Sequence, residues 1–212
     1  SIFISLSLES ALVRFWSLKG EPYLNSEKFM TCLVTICLVG FSIILISFFL
    51  TRFYFLFSSN HLKSLELIPI AITATVVQIL FNLSNICFRM RREITKFSLL
   101  SIFYTISYVG FSLFLIVQKD FGISGLFYGS LAAGIFSLCI SLFLNSDLLG
   151  FNYSFKLLFS FLKYSVPTIP GVFTSFVNAR ADRLIILHFI GLASVGIYAV
   201  SYTHLTLPTI SD

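Results

Sequence analysis

Charged residues are scarce in this chain, and their scarcity excludes most classes of soluble protein. Only 11% of the 212 residues are Asp, Glu, Lys or Arg, whereas an ordinary soluble domain has about a quarter. Hydrophobic residues make up 57% of the chain, with 26 phenylalanines, and they form long uncharged runs. This composition is typical of an integral membrane protein. The net charge of +5 is spread too thinly to indicate a nucleic-acid partner.

The residue patterns of common catalytic and metal sites are also missing. The four cysteines lie in apolar runs without a CxxC pair or a nearby histidine, so neither a disulfide framework nor a zinc site is indicated. No Ser-His-Asp arrangement, phosphate-binding loop or pair of carboxylates is present. We therefore expect no catalytic residue, no metal and no cofactor, and we predict that the protein is not an enzyme.

The opening residues 1–16 lack the basic segment and the small-residue cleavage site of a signal peptide. They look like the middle of a helix. We therefore expect that the native N-terminus lies before Ser1.

Uncharged runs of about 20 residues, the length that crosses the hydrocarbon of a membrane, predict the fold. Four such runs are clear, at residues 29–50, 67–88, 97–117 and 121–144. A fifth span, 164–190, is long enough only if it carries three charged residues through the membrane, and partial spans lie at 2–16 and from 197 onward. The predicted fold class is all-α, a polytopic transmembrane helical bundle.

Residues 145–163 form the longest polar-leaning connection. Its apolar residues fall at helical spacing, at Phe151, Phe155, Leu158, Phe159 and Leu162. This pattern predicts an amphipathic helix that lies at the membrane interface and links two bundles.

Orientation follows from the excess of Lys and Arg in cytoplasmic loops. One set of alternate loops holds about eight basic residues, namely Lys19, Lys28, Arg89, Arg91, Arg92, Lys96, Lys156 and Lys163. The other set holds Arg52, Lys63 and Lys119. We therefore place the first set in the cytoplasm.

The first candidate site is the cluster Arg180, Asp182 and Arg183 in the fifth span. A charge in hydrocarbon costs roughly 2.5–3.5 kcal/mol, so such residues usually face a cavity or a binding path. At ~100° per residue, Asn178 and Asp182 share one helix face with Thr174, and the two arginines share another. The arginines suit a phosphate or pyrophosphate group. Asp182 either balances them across a helix boundary or binds Na⁺ or H⁺. The alternative is that residues 180–183 form a loop between two helices.

Glu9 and Arg14 form the second candidate site, in the apolar first segment. They are about 140° apart on a helix, so they do not pair with each other. Glu9 lies deeper and is the stronger candidate for a cavity. Arg14 either binds ligand or extends to the cytoplasmic interface. The polar stripe Gln78, Asn82 and Asn85 is more typical of hydrogen bonding between helices.

Several segments together resemble a known family. They are Lys163-Tyr-Ser-Val-Pro-Thr-Ile-Pro-Gly171, Ala181-Asp-Arg-Leu-Ile-Ile186 and Gly191-Leu-Ala-Ser-Val-Gly-Ile-Tyr198, preceded by Glu9-Ser-Ala-Leu-Val-Arg-Phe15, the basic residues 89–92 and Gly122-Ile-Ser-Gly125. In this order they resemble bacterial polysaccharide biosynthesis flippases of the O-antigen or teichoic-acid type. These belong to the multidrug/oligosaccharidyl-lipid/polysaccharide exporter superfamily. The resemblance covers residues 1–199.

The resemblance implies a two-lobe transporter of which this chain is a fragment. Residues 1–144 would be the end of the second to the sixth helix of the N-terminal lobe, 145–163 a cytoplasmic linker, and 164–199 the start of the C-terminal lobe. Residues 200–212 depart from the pattern, because Val200-Ser-Tyr-Thr-His-Leu-Thr-Leu-Pro-Thr209 resembles the translation of a transposon-derived sequencing adapter. We expect this tail to be non-native.

The activity implied is the flipping of undecaprenyl-pyrophosphate-linked oligosaccharide across the bacterial inner membrane, with Na⁺ or H⁺ as the coupling ion. Substrate-binding roles fall to Arg180, Arg183, Arg14 and Asn178, and ion coupling or locking of the lobes to Asp182 and Glu9. Expected partners are membrane lipids, a polysaccharide polymerase and glycosyltransferases. Two alternatives stay open: a multidrug exporter of the same superfamily, which requires an acidic cavity, and a membrane-embedded acyl- or glycosyltransferase, which requires a histidine or paired acids.

Overall fold

The computed structural model describes residues 7–16, 22–57, 67–150 and 153–206, and over these ranges the chain is helical with short turns and no strand. The predicted all-α helical bundle is therefore confirmed. The helices in chain order are α1 (Leu8–Phe15), α2 (Pro22–Phe57), α3 (Leu67–Met90), α4 (Ile94–Lys119), α5 (Ser124–Leu144), α6 (Phe155–Phe189) and α7 (Leu192–Thr206). A short 3₁₀ helix, Ser146–Leu148, follows α5.

Four helices are long and apolar enough to cross a membrane, and they are the four that the uncharged runs predict. They are the segment Asn25–Tyr54 of α2 and the whole of α3, α4 and α5. The first three extend past their predicted runs into polar or charged residues, whereas α5 begins three residues after the start of its predicted run. The helix α6, which carries the charged cluster, does not meet the same criterion in the described residues. Its four polar or charged residues between Asn178 and Arg183 lower its hydropathy.

Positive φ angles mark two of the turns between helices. Asp120 and Gly122 have positive φ angles of 53° and 56° at the turn between α4 and α5, and Gly191 has φ 106° at the end of α6. The amide of Gly191 donates to the carbonyl of Ile186 across 3.0 Å, which closes the last turn of the helix. The φ of 106° favours glycine at this position.

The chain divides into two compact units, residues 1–166 and 167–212. In the first unit, the core forms where α1 packs with α2, α3, the 3₁₀ helix and the first turns of α6. Its fully buried side chains include Leu8, Leu12, Phe29, Leu83 and Phe161. A smaller cluster, of Phe81, Phe88 and Leu100, joins α3 to α4.

Small and polar residues join α3, α4 and α5. At Gly129 in α5, an added Cβ would lie 2.7 Å from the backbone nitrogen of Ser112 in α4, so the two helices touch at their backbones. Asn145, at the end of α5, is fully buried. Its Nδ2 donates to the carbonyls of Ser84 and Ser141 at 3.1 and 3.0 Å. Such contacts are typical of helices that pack within a membrane, where polar groups find partners in neighbouring helices.

The ends of α3 and α5 are tied by an ion pair. The guanidinium of Arg91 contacts both carboxylate oxygens of Asp147, with nitrogen–oxygen distances of 2.6 and 3.2 Å. The loops after α3 and after α5 therefore lie at the same end of the bundle. This arrangement agrees with the alternation of loops on which the predicted orientation depends.

The helix α6 differs from the sequence expectation at its start. We predicted a separate interfacial helix within residues 145–163 and a span from 164; instead, one helix runs from Phe155 to Phe189 through Pro167 and Pro170. These prolines lack the N–H that would reach the carbonyls of Lys163 and Val166, yet the helix continues past them. The alternative of a loop at residues 180–183 is wrong, because that segment is helical.

In the second unit, residues 167–189 continue α6, and α7 follows the turn at Gly191. The predicted adapter-derived tail, 200–212, begins within α7, and its residues 207–212 lie outside the described part of the chain. The predicted partial span at 2–16 is described only from Ser7, as the helix α1.

Candidate functional site

The short helix α1 positions Glu9 and is held at both ends. Leu8, Ala11 and Leu12 are buried in the core, so the opposite face of the helix carries Glu9 and Ser10. Before the helix, the carbonyl of Ser7 accepts a hydrogen bond from the Ser165 hydroxyl at 3.2 Å. At the last residue of the helix, the carbonyl of Phe15 accepts a hydrogen bond from Lys28 Nζ at 2.9 Å.

Glu9 lines a cavity of about 310 Å³ between α1, α3 and α4. The other lining residues are Phe81, Asn82, Asn85, Ile86, Arg89, Phe97, Ser101, Tyr104 and Thr105. Glu9 is half-buried there and makes no hydrogen bond or ion pair with any residue that the structure describes. The expectation that Glu9 faces a cavity agrees with this geometry.

A chain of hydrogen bonds crosses one wall of the cavity. Asn85, which is 4% exposed, donates through Nδ2 to the Ser101 hydroxyl at 3.0 Å. The Ser101 hydroxyl donates to the carbonyl of Phe97 at 2.8 Å, and Thr105 donates to the carbonyl of Ser101 at 2.9 Å. Among the described residues, Asn85 Oδ1 has no hydrogen-bond partner.

Aromatic rings supply the apolar part of the cavity. The rings of Phe81 and Tyr104 are stacked, with centroids 5.1 Å apart and an interplanar angle of 23°. The guanidinium of Arg89 lies 6.0 Å from the ring centroid of Phe97. The site therefore combines aromatic surface with one carboxylate, one guanidinium and several amide or hydroxyl groups.

Arg14 does not line this cavity with Glu9. It is exposed, and its guanidinium lies 4.5 Å from the ring centroid of Tyr164, which is typical of a cation–π contact. The two charged residues of α1 thus have different surroundings, as their separation of about 140° predicts.

The predicted cluster in the second unit lies on exposed helix surface. Asn178, Arg180, Asp182 and Arg183 are all exposed. Asp182 Oδ2 accepts a hydrogen bond from the Tyr198 hydroxyl at 3.1 Å, so its partner comes from another helix, α7. Arg180 lies 4.4 Å from the ring centroid of Phe176, one turn earlier. No ion pair joins the arginines to Asp182 within the described residues.

Comparison with known protein families decides the class of this protein. The sequence model of the family described as polysaccharide biosynthesis protein matches residues 1–211. The chain belongs to this polysaccharide biosynthesis family. No curated protein and no solved structure gives a significant match.

The two candidate sites of this member of the polysaccharide biosynthesis family differ in how far they are enclosed. Three helices line the cavity beside Glu9, whereas the cluster at Arg180 lies on exposed helix surface. Sequence reasoning identified Glu9 and assigned the Asn82 and Asn85 stripe to hydrogen bonding between helices. The bond from Asn85 to Ser101 confirms that assignment for Asn85, yet both asparagines also line the cavity. The contribution of α4 was missed.

The signal for that contribution was present in the sequence. Ser101, Tyr104 and Thr105 are spaced i, i+3 and i+4, so they share one face of α4. In an apolar helix, such a face is a polar stripe of the same kind as Asn82 and Asn85. Two polar stripes on consecutive helices indicate a shared site between them.

Proposed function

We propose that this protein is a flippase that moves undecaprenyl-pyrophosphate-linked oligosaccharide from the cytoplasmic to the outer face of the bacterial inner membrane. The observation that carries the proposal is the match to the polysaccharide biosynthesis family over residues 1–211. Four apolar helices of spanning length support a membrane location. A polar cavity between helices supports a path for a hydrophilic head group.

Residue roles follow from charge and exposure. Arg180 and Arg183, with Asn178 beside them, are proposed to bind the pyrophosphate, because exposed guanidiniums donate bidentate hydrogen bonds to phosphate oxygens. Arg14, in the first unit, is proposed as a separate contact to the substrate. Asp182 is proposed to couple transport to Na⁺ or H⁺, or to lock the lobes, and its bond to Tyr198 holds the carboxylate in place. Glu9 is proposed to act in the cavity of the N-terminal lobe.

The proposed organisation keeps the lobe assignments. Residues 1–144 would belong to the N-terminal lobe, 145–163 to the cytoplasmic linker and 164–199 to the start of the C-terminal lobe, with 200–212 as a non-native tail. Alternating access would then come from movement of one lobe against the other. A polysaccharide polymerase and glycosyltransferases are the proposed partners in the same membrane.

The alternatives fit the cavity less well. A multidrug exporter for cations requires a net acidic cavity, whereas one carboxylate, Glu9, and one guanidinium, Arg89, line this one. A transferase requires a histidine or paired acids facing a cavity, and the ten described residues that line it include a single acid and no histidine.

Transport by the full-length protein in proteoliposomes tests the proposal. Fluorescent undecaprenyl-pyrophosphate-linked oligosaccharide should become accessible to an external glycosidase at a protein-dependent rate. The double variant R180A/R183A should lower that rate at least about tenfold, since each charged hydrogen bond contributes roughly 1.5–3 kcal/mol.

Arg52→Ala is the matched control. Arg52 lies 5.5 Å from the ring of Phe48, also one turn earlier, so it resembles Arg180 in its contact with the same helix and lies outside the proposed site. No protein-dependent flipping by the wild type would exclude the function. An unchanged rate in R180A/R183A would exclude the role of the arginines alone.

A further inference from the structure

The cavity beside Glu9 has the size of a small-molecule site. Its volume of about 310 Å³ lies at the lower end of the range for such sites, roughly 300–1,000 Å³. It is lined by groups from three helices of the first unit, and all are within described residues. A space of this size suits one sugar ring and a few waters.

The hydrogen bonds that the lining residues already form show which of their polar groups remain for a ligand. The protons of Ser101 and Thr105 and one amide proton of Asn85 are already donated to protein acceptors. The groups left over are of both kinds: the Glu9 carboxylate and the oxygen of Thr105 can accept hydrogen bonds, whereas the Arg89 guanidinium and the Asn82 amide can donate them. A ligand that fits this cavity must therefore both donate and accept hydrogen bonds.

The charges in the cavity argue for an uncharged ligand. Glu9 would attract a cation, but Arg89 lines the same cavity and repels it. An anion would be attracted by Arg89 but repelled by Glu9. A neutral polyol, in contrast, donates to the carboxylate and accepts from the guanidinium at the same time.

The aromatic groups point to the same chemistry. The stacked rings of Phe81 and Tyr104 lie beside the polar wall formed by Asn85, Ser101 and Thr105. A pyranose ring has an apolar C–H face and a rim of hydroxyl groups. Its C–H face suits the negative face of an aromatic ring, and its rim suits the acceptors.

The cavity lies near the end of the helices from which a substrate would load. Asn82, Asn85 and Arg89 are spaced i, i+3 and i+7 on α3, which ends at Met90. At 1.5 Å per residue, Asn82 is about 12 Å from that end. In the predicted orientation this is the cytoplasmic end, the side from which the proposed flippase takes its substrate.

We propose that the cavity lined by Glu9, Asn85, Tyr104 and Thr105 binds one uncharged sugar residue of the lipid-linked glycan, so that it selects substrates by their sugar. The inference rests on the proposed flippase function and deepens it. Glu9 and the hydroxyl oxygen of Thr105 accept hydrogen bonds from sugar hydroxyls, and Tyr104 packs against the sugar ring. The pyrophosphate binds elsewhere, at the arginines.

The test compares binding of lipids with and without a sugar by the full-length protein in nanodiscs. The probes are undecaprenyl pyrophosphate bearing one glucose, one galactose or one N-acetylglucosamine residue, and the same lipid without a sugar. The wild type should bind at least one sugar-bearing probe more tightly than the bare lipid. Tyr104→Leu and Thr105→Val should each reduce that preference, about tenfold in the double variant, and leave affinity for the bare lipid unchanged.

Two control variants match these substitutions outside the cavity. Thr75, like Thr105, donates to the carbonyl four residues earlier, so Thr75→Val should leave the preference unchanged. Tyr128, like Tyr104, pairs with a phenylalanine, Phe121, at a centroid distance of 5.7 Å, so Tyr128→Leu should do the same.

Three results would overturn the inference. One is equal affinity of the wild type for all four probes. A second is a loss of affinity for the bare lipid that equals the loss for the sugar-bearing probes. The third is a Na⁺-dependent thermal stabilisation that Glu9→Gln removes, together with a sugar preference that the Tyr104→Leu/Thr105→Val double variant leaves unchanged, which would make the cavity a cation site.

The flipping assay separates this inference from the function on which it rests. Flipping without any sugar preference would contradict the sugar site and leave the flippase proposal standing. A sugar preference without flipping would support the cavity as a glycan site and contradict the transport role.

Discussion

Lys28 Nζ donates a hydrogen bond to the carbonyl of Phe15 across 2.9 Å. Lys28 is only 7% exposed, and Phe15 is the last residue of α1. A buried ammonium at the C-terminal end of a helix stabilises carbonyls that have no partner within the helix. This bond therefore joins α2 to the helix that carries Glu9.

Lys28→Met should loosen α1 while it keeps the length of the side chain. We expect a loss of about 1–2 kcal/mol in the free energy of unfolding, because the lost charged hydrogen bond is partly offset by the removal of a buried charge. Equilibrium unfolding in mixed micelles, followed by circular dichroism, measures this change.

Lys96→Met is the control for that measurement. Lys96 is exposed and forms a surface ion pair with Glu93 at 2.6 Å, and such pairs contribute about 0–1 kcal/mol. An equal effect of the two substitutions would show that the bond to Phe15 does not hold α1.

The sequence was enough to predict the helices but not all of their ends. Runs of apolar residues set the existence of α2 to α5, because each must cover the hydrocarbon. The start of α6 at Phe155 was not predicted, since Pro167 and Pro170 read as a helix start. From the sequence alone, a proline in the first turn of a helix cannot be distinguished from a proline inside a long helix.

The site was predictable in part. Glu9 stood out because a carboxylate is costly in an apolar helix. Asn85 and Ser101 are ordinary polar residues until the helices α3 and α4 bring them within 3.0 Å. Spacing along one helix cannot show which helix faces it, so the composition of a cavity between helices depends on tertiary packing.

Gly129→Ala should destabilise the contact between α4 and α5. The added Cβ would lie 2.7 and 2.8 Å from the backbone nitrogen and Cα of Ser112, and neither atom can move without the helix. We expect a loss of about 1–3 kcal/mol, the usual range for overpacking. The midpoint of thermal unfolding in detergent should fall accordingly.

Gly110→Ala, in α4, is the matched control. A Cβ there would meet nothing within 4 Å, and alanine favours a helix by up to about 1 kcal/mol over glycine. Its midpoint should stay the same or rise. A fall equal to that of Gly129→Ala would contradict the close approach of the helices.

Asn145→Ala should weaken the junction of α3 and α5. Asn145 is fully buried and donates to the carbonyls of Ser84 and Ser141, while the Ser141 hydroxyl donates to the Ser84 hydroxyl at 2.7 Å. Interhelical hydrogen bonds in membranes contribute about 0.6–1.7 kcal/mol.

A double-mutant cycle of Asn145→Ala with Ser84→Ala measures the coupling in the free energy of unfolding. The two residues share partners, so their effects should not add, and the coupling should reach about 0.5 kcal/mol or more. Strict additivity would show that the amide and the hydroxyl act independently.

Asp182→Asn should impair the coupling of transport to an ion while it keeps the hydrogen bond to Tyr198. Asp182 accepts a hydrogen bond from Tyr198 at 3.1 Å, and an asparagine oxygen can still accept that bond but carries no charge. If Asp182 couples transport to an ion, Asp182→Asn should lower flipping driven by a Na⁺ or proton gradient at least about tenfold, the effect of about 1.4 kcal/mol on a rate. Tyr198→Phe keeps the charge and should lower it by a smaller factor. Flipping in proteoliposomes with imposed gradients measures both variants, and an Asp182→Asn protein that still responds to either gradient as the wild type does would exclude the coupling role.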